Sequence, residues 1–134
     1  MRSGQMLVEL VLAIAVAILV LVALVQVTTR SIFSTRFARK QTKAVTVGTQ
    51  GVEWLREQRN IDWNAFYTKS GSYCLQTLAW SPPVPCPPVT GTVFTRTLVI
   101  TPAGGNNVTA VVTVKWDEGS KTYTANQTAV FYNY

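Results

Sequence analysis

The chain has 134 residues, 48% hydrophobic and only 13% charged, with no histidine and a formal net charge of +6. The commonest general base and metal ligand is therefore missing. The six acids (Glu9, Glu53, Glu57, Asp62, Asp117 and Glu118) form no paired-carboxylate or ligand-spaced set, and no glycine-rich phosphate loop or nucleophile elbow occurs. These absences argue against an enzyme, a metal site, a bound cofactor or a small-molecule substrate, and the length leaves room for one small domain beyond the apolar N-terminal run.

That run, Gly4 to Val25, organises the chain. At about 1.5 Å rise per residue, a helix from Met6 to Val25 spans roughly 30 Å, the thickness of a bilayer's hydrocarbon core. Glu9 alone interrupts it. An ionised carboxylate inside a spanning helix costs on the order of a few kcal/mol, so its partner has to be found. An intrahelical cation would stand three or four residues away, and those positions hold Gln5, Met6, Leu12 and Ala13. The apolar core is too long for a conventional cleaved signal peptide; an uncleaved signal anchor that carries an acid is the bland alternative.

Arg2, Ser3, Gly4 and the following Leu7, Val8 and Glu9 resemble the start of a type IV prepilin. In that family a short basic leader ends in Gly, a peptidase cuts before the apolar run, the new amino terminus is N-methylated, and Glu stands fifth in the mature chain. Counting from Gln5 places Glu9 fifth. The resemblance implies a leader over residues 1–4, cleavage after Gly4, methylation of Gln5, and a role for Glu9 in filament assembly. Gln5 and Met6 stand where Phe or Met and Thr are commoner.

Residues 30–43 hold Arg30, Arg36, Arg39, Lys40 and Lys43 without an acid, so most of the net charge is one cluster beside the span. Anionic head groups or neighbouring subunits suit such a cluster better than DNA, and DNA binding has no support beyond the charge itself. More bases after the span than before it would, by the positive-inside rule, keep the C-terminal part in the cytoplasm, whereas the leader and the cysteines favour export.

The spacing of Phe33, Phe37, Ala44, Val45, Gly48, Val52 and Leu55, with no proline before Pro82, predicts one helix from about Gln5 to Arg59. Its apolar half is expected over 5–25 and its amphipathic half over 26–59. Gly48 and Gly51 mark either a bend or a close approach to packed strands; the alternative is a break near Thr46 to Gly51. The segment Gln50-Gly51-Val52-Glu53 with Arg56, Arg59 and Trp63 again resembles minor pilins. Trp54 and Trp63 read as core anchors.

Residues 60–134 form the expected globular head, with an irregular loop over 60–91 and a sheet over 92–134. Cys74 and Cys86 enclose a proline-rich stretch and are expected to form a disulfide in an oxidising compartment, the alternative being two buried thiols. From Thr92 the period changes to two, predicting strands Thr92–Thr101, Asn107–Trp116 and Lys121–Tyr132 in an antiparallel meander. Val108, Ala110, Val112, Val114 and Trp116 share the face that should meet the helix.

The expectation is thus an α+β, pilin-like fold, one long N-terminal helix packed on a small antiparallel sheet. What the resemblance implies is a structural subunit of a type IV pilus or of a secretion- or competence-type pseudopilus. A minor subunit is favoured because Gln26 stands where major subunits usually carry proline. Its partners would be the membrane, other pilin subunits, the prepilin peptidase and methyltransferase, and the pilus assembly platform. It would lie in the cytoplasmic membrane with an extracytoplasmic head, and outside the cell once assembled. The alternative is a membrane-anchored binding module, an adhesin or a DNA receptor, that never polymerises.

Overall fold

The computed structural model describes residues 2–133, with side chains from Gly4 onward. Met1 and the side chains of Arg2 and Ser3, part of the expected leader, lie outside the described residues. The chain divides into two compact units, Met1–Arg39 and Lys40–Tyr134. Helix α1 (Arg2–Ile61) supplies the described part of the first unit and opens the second.

The helix begins earlier than expected and ends two residues later, at Ile61 rather than Arg59. Nothing at Gly4 stops it, since no proline or capping side chain stands there, and an apolar run of good helix formers follows. Thr28, Thr29 and Thr35 donate their hydroxyls to the carbonyls of Leu24, Val25 and Ser31, at 2.8, 2.9 and 2.9 Å. Back-bonding of this kind lets threonine sit in a helix interior with its polar group satisfied.

In the second unit, α2 (Trp63–Tyr67) follows α1, and strands β1 (Gly71–Cys74), β2 (Thr95–Pro102), β3 (Asn107–Glu118) and β4 (Lys121–Tyr132) form one antiparallel sheet in the order β1-β2-β3-β4. The sheet therefore has four strands where three were expected, and the segment 60–91 is not wholly irregular. Asp62 starts α2 by accepting the Ala65 amide at 3.0 Å. β1 is short and glycine-led, with no alternation of its own to betray it. Its place is set from outside, by pairing Gly71 to Cys74 against Ile100 to Thr97. The hairpin turns fall where glycine and asparagine announce them. Gly105 and Asn106 take φ of 75° and 61° between β2 and β3, and Gly119 takes 63° between β3 and β4.

Burial along β3 alternates as its sequence dictates: Val108, Ala110, Val112, Val114 and Trp116 are all buried. Val108, Ala110 and Val112 meet Leu98 and Ile100 from β2, Phe131 from β4, and Val52, Trp54 and Leu55 from the outer part of α1, while Trp116 packs edge-on against Phe94. A sheet of this size exposes one apolar face and needs such a cover. Trp54 is buried beside Trp80, with ring centroids 4.9 Å apart, and Trp63 packs half-buried against the same core.

Gly48 and Gly51 mark close approach, not a break, because α1 passes through both. A Cβ on Gly51 would stand 3.2 Å from both Arg96 Cδ and Val112 Cγ1, and one on Gly48 would stand 3.3 Å from Gln127 Cγ. Gly51→Leu is therefore expected to destabilise the head by about 2–3 kcal/mol through overpacking. Gly51→Ala should stay near neutral, because about 1 kcal/mol of helix propensity offsets the tight contact. Urea unfolding followed by tryptophan fluorescence checks both, and equal stabilities for the two variants would rule out the packing account.

Candidate assembly segment and the buried arginine

Within the first unit the apolar run of α1 is exposed around its whole circumference. Met6, Leu7, Leu12, Leu19 and Val27 are each more than 60% exposed, and residues at every helical angle between them are at least half exposed. None of the most apolar part of this stretch is buried. A surface of this kind is not stable in water and calls for lipid or protein around it. The helix is long and apolar enough to serve as a membrane anchor.

Gly4, Gln5 and Glu9 all lie on this helix and are exposed. Beyond its chain neighbours and its own helix backbone, no described atom comes within 4 Å of the Cβ position of Gly4, so packing among the described residues places no limit on size there. Glu9 makes no hydrogen bond or ion pair among the described residues. The helix thus carries one carboxylate inside its apolar stretch with no cation beside it among the described residues. Such a group is costly in lipid unless another molecule supplies the cation.

The basic cluster is not uniform. Lys40 and Lys43 belong to the second unit, and Lys40 Nζ lies 3.4 Å from Glu118 Oε1 at the end of β3. Glu118 keeps its other oxygen buried with no hydrogen-bond partner. Arg30, Arg36 and Arg39 stay in the first unit, beyond the last residue of the apolar run.

Cys74 and Cys86 are joined, with Cα atoms 5.3 Å apart, which ties β1 to the proline-rich segment. Closing a loop of this length is worth about 3 kcal/mol. Among the described residues no group of three or more potential metal ligands comes together.

Comparison with known protein families, with curated proteins and with solved structures finds no match to this chain. The architecture is α+β, with one long apolar N-terminal helix and a small antiparallel sheet.

The head's most unusual group is Arg96, a position the sequence reading passed over. It is only 2% exposed. Nε donates to the Leu75 carbonyl at 3.0 Å and Nη1 to the Val47 carbonyl at 2.9 Å, so one guanidinium bridges the segment after β1 to α1. No carboxylate pairs with it among the described residues, and burial pushes its pKa below the ordinary arginine value. Gly51 leaves room for the arginine stem, since a Cβ there would stand 3.2 Å from Arg96 Cδ. The signal was present in the alternation. Arg96 is in phase with Phe94, Leu98 and Ile100, all buried, so a period of two already places a charge on the apolar face.

Proposed function

We propose that this chain is a structural subunit, of the minor kind, of a type IV pilus or related pseudopilus. The observation that carries the reading is an apolar stretch exposed on every face that holds a single carboxylate, Glu9, with no ion-pair partner among the described residues. A plain membrane anchor gains nothing from a buried acid and loses a few kcal/mol by it. A segment that leaves lipid to bundle with copies of itself can use the acid to fix register against a cation on its neighbour. In this reading a peptidase cuts after Gly4, Gln5 becomes the methylated amino terminus, and Glu9 neutralises that terminus in an adjacent subunit. The joined Cys74 and Cys86 support a head outside the cytoplasm.

Intact mass measurement of the protein recovered from cell membranes tests the assignment. The expected species begins at Gln5, carries one added methyl group, and lacks two hydrogens for the disulfide. Bulky replacement of Gly4 should leave only the uncut precursor, although nothing in the fold crowds that position. An intact Met1 in membrane-resident wild-type protein would reject the reading and assign the chain to the non-polymerising, anchored binding modules.

A further inference from the structure

The two edges of the sheet are built differently. β1 is four residues long, its Cys74 amide donates to the Ser81 carbonyl at 3.1 Å, and its last residue is tied to the proline-rich segment by the disulfide. Shortness, proline and local pairing are ordinary ways to blunt an edge. β4 has none of these. It runs for 12 residues in unbroken register from Lys121↔Glu118 to Tyr132↔Asn107, contains no proline, and carries its single charge at its first residue. Among the described residues no backbone hydrogen bond reaches its outer side.

That bare edge opens on a groove of about 470 Å³, lined by Val52, Arg56 and Arg59 of α1 and by the consecutive run Gln127 to Phe131. Side chains alternate across a strand, so an unbroken run of this kind lines one groove only where the backbone edge itself faces it. The helical wall is basic, and no carboxylate is among the described lining residues. Arg56 Nη1 donates to Glu53 at 2.9 Å and Arg59 donates to Asn60 Oδ1 at 3.1 and 2.8 Å. The Arg56–Glu53 contact is an exposed one that a better-placed acid can displace. A second copy pairing β4 on β4 would bring like-charged walls together, which opposes that occupant.

We propose that this groove receives an extended, acidic segment of a partner protein, which joins β4 as a fifth strand. Backbone bonds along β4 would supply affinity, and carboxylates of the segment would select the partner through Arg56. The inference rests on the sheet edge and holds whether or not the chain polymerises, so its failure and that of the pilus reading are distinguishable.

The test uses the full chain in detergent micelles with three blocked ten-residue probes. The first alternates valine and glutamate, the second replaces glutamate by lysine, and the third repeats the first with alternate backbone nitrogens methylated. The acidic probe should bind and slow hydrogen exchange at Gln127 to Phe131. Methylation removes several backbone donors and should weaken binding by at least about tenfold. Arg56→Gln should weaken it by about threefold, as fits an exposed pair. Equal binding of the plain and methylated probes, stronger binding of the lysine probe, protection confined to another region, or no binding would each overturn the proposal. So would a dimer protected at the same residues without probe, which would give the edge to a second copy.

Discussion

Arg96→Met is expected to destabilise the head by about 2 kcal/mol, and Arg96→Lys by about 3 kcal/mol or more, so that the charge-conserving change is the worse one. The order follows from what each side chain leaves behind. Methionine fills most of the volume and removes a buried cation, which is favourable. It also leaves the Leu75 carbonyl without the donor at 3.0 Å that now satisfies it, in a place where Leu75 is fully buried. An orphaned buried acceptor costs about 1–3 kcal/mol, and relief of the desolvated charge recovers only part of it. The Val47 carbonyl suffers less, since it lies inside α1 and keeps its helical bond. Lysine keeps the charge, is more strongly hydrated than a guanidinium, and can place its donors at one point where the native bridge needs two separated ones. With no carboxylate beside it, the ammonium is then buried at nearly full cost. Urea unfolding monitored through Trp54 and Trp80 ranks the variants, and Arg96→Lys matching wild type would show that charge, not the forked bridge, is what matters.

The parts of this fold that were legible are those that many residues determine together. Period-two burial in β3 is written by Val108, Ala110, Val112, Val114 and Trp116 in unison, and glycine marks both long hairpins, joined by Asn106 in the first. The continuity of α1 through Gly48 and Gly51 was readable from the surrounding periodicity. What those glycines touch was not, because Arg96, Val112 and Gln127 arrive from strands far along the chain. β1 and α2 were missed for the complementary reason. Gly71-Ser72-Tyr73-Cys74 has too few residues to show a period, and its strand character comes from β2 and the disulfide. α2 rests on one cap, the Asp62 carboxylate on the Ala65 amide. Arg96 was the avoidable miss: charged residues are assumed to face water, and that habit outweighed a phase its neighbours had already set. Gly4, Gln5 and Glu9 form a different class. All three are exposed, and on the reading proposed above their role depends on molecules outside the chain.

Glu9→Ala is expected to insert into the membrane at least as well as wild type, yet to enter filaments at least about tenfold less. The two halves have opposite signs because they sample different surroundings. In lipid the carboxylate is a lone charge that costs on the order of a few kcal/mol, so removing it helps. In a filament, on the reading proposed above, the same carboxylate meets the cationic amino terminus of Gln5 on a neighbour, and removing it leaves that cation buried and unpaired. Breaking one side of a buried pair costs about 3–5 kcal/mol, well beyond the 1.4 kcal/mol that makes a tenfold change in an equilibrium. On the same reading, methylation of Gln5 would serve that pairing, since it would hinder an amino-terminal glutamine from cyclising to a neutral lactam and losing the charge. Glu9→Gln should behave like the alanine variant, because its amide keeps the size but cannot neutralise the cation. The assay compares the subunit in sheared filaments with that in membranes for wild type and both variants. Equal incorporation would eliminate the pairing mechanism, and a loss of membrane insertion in place of assembly would show that Glu9 acts on topology instead.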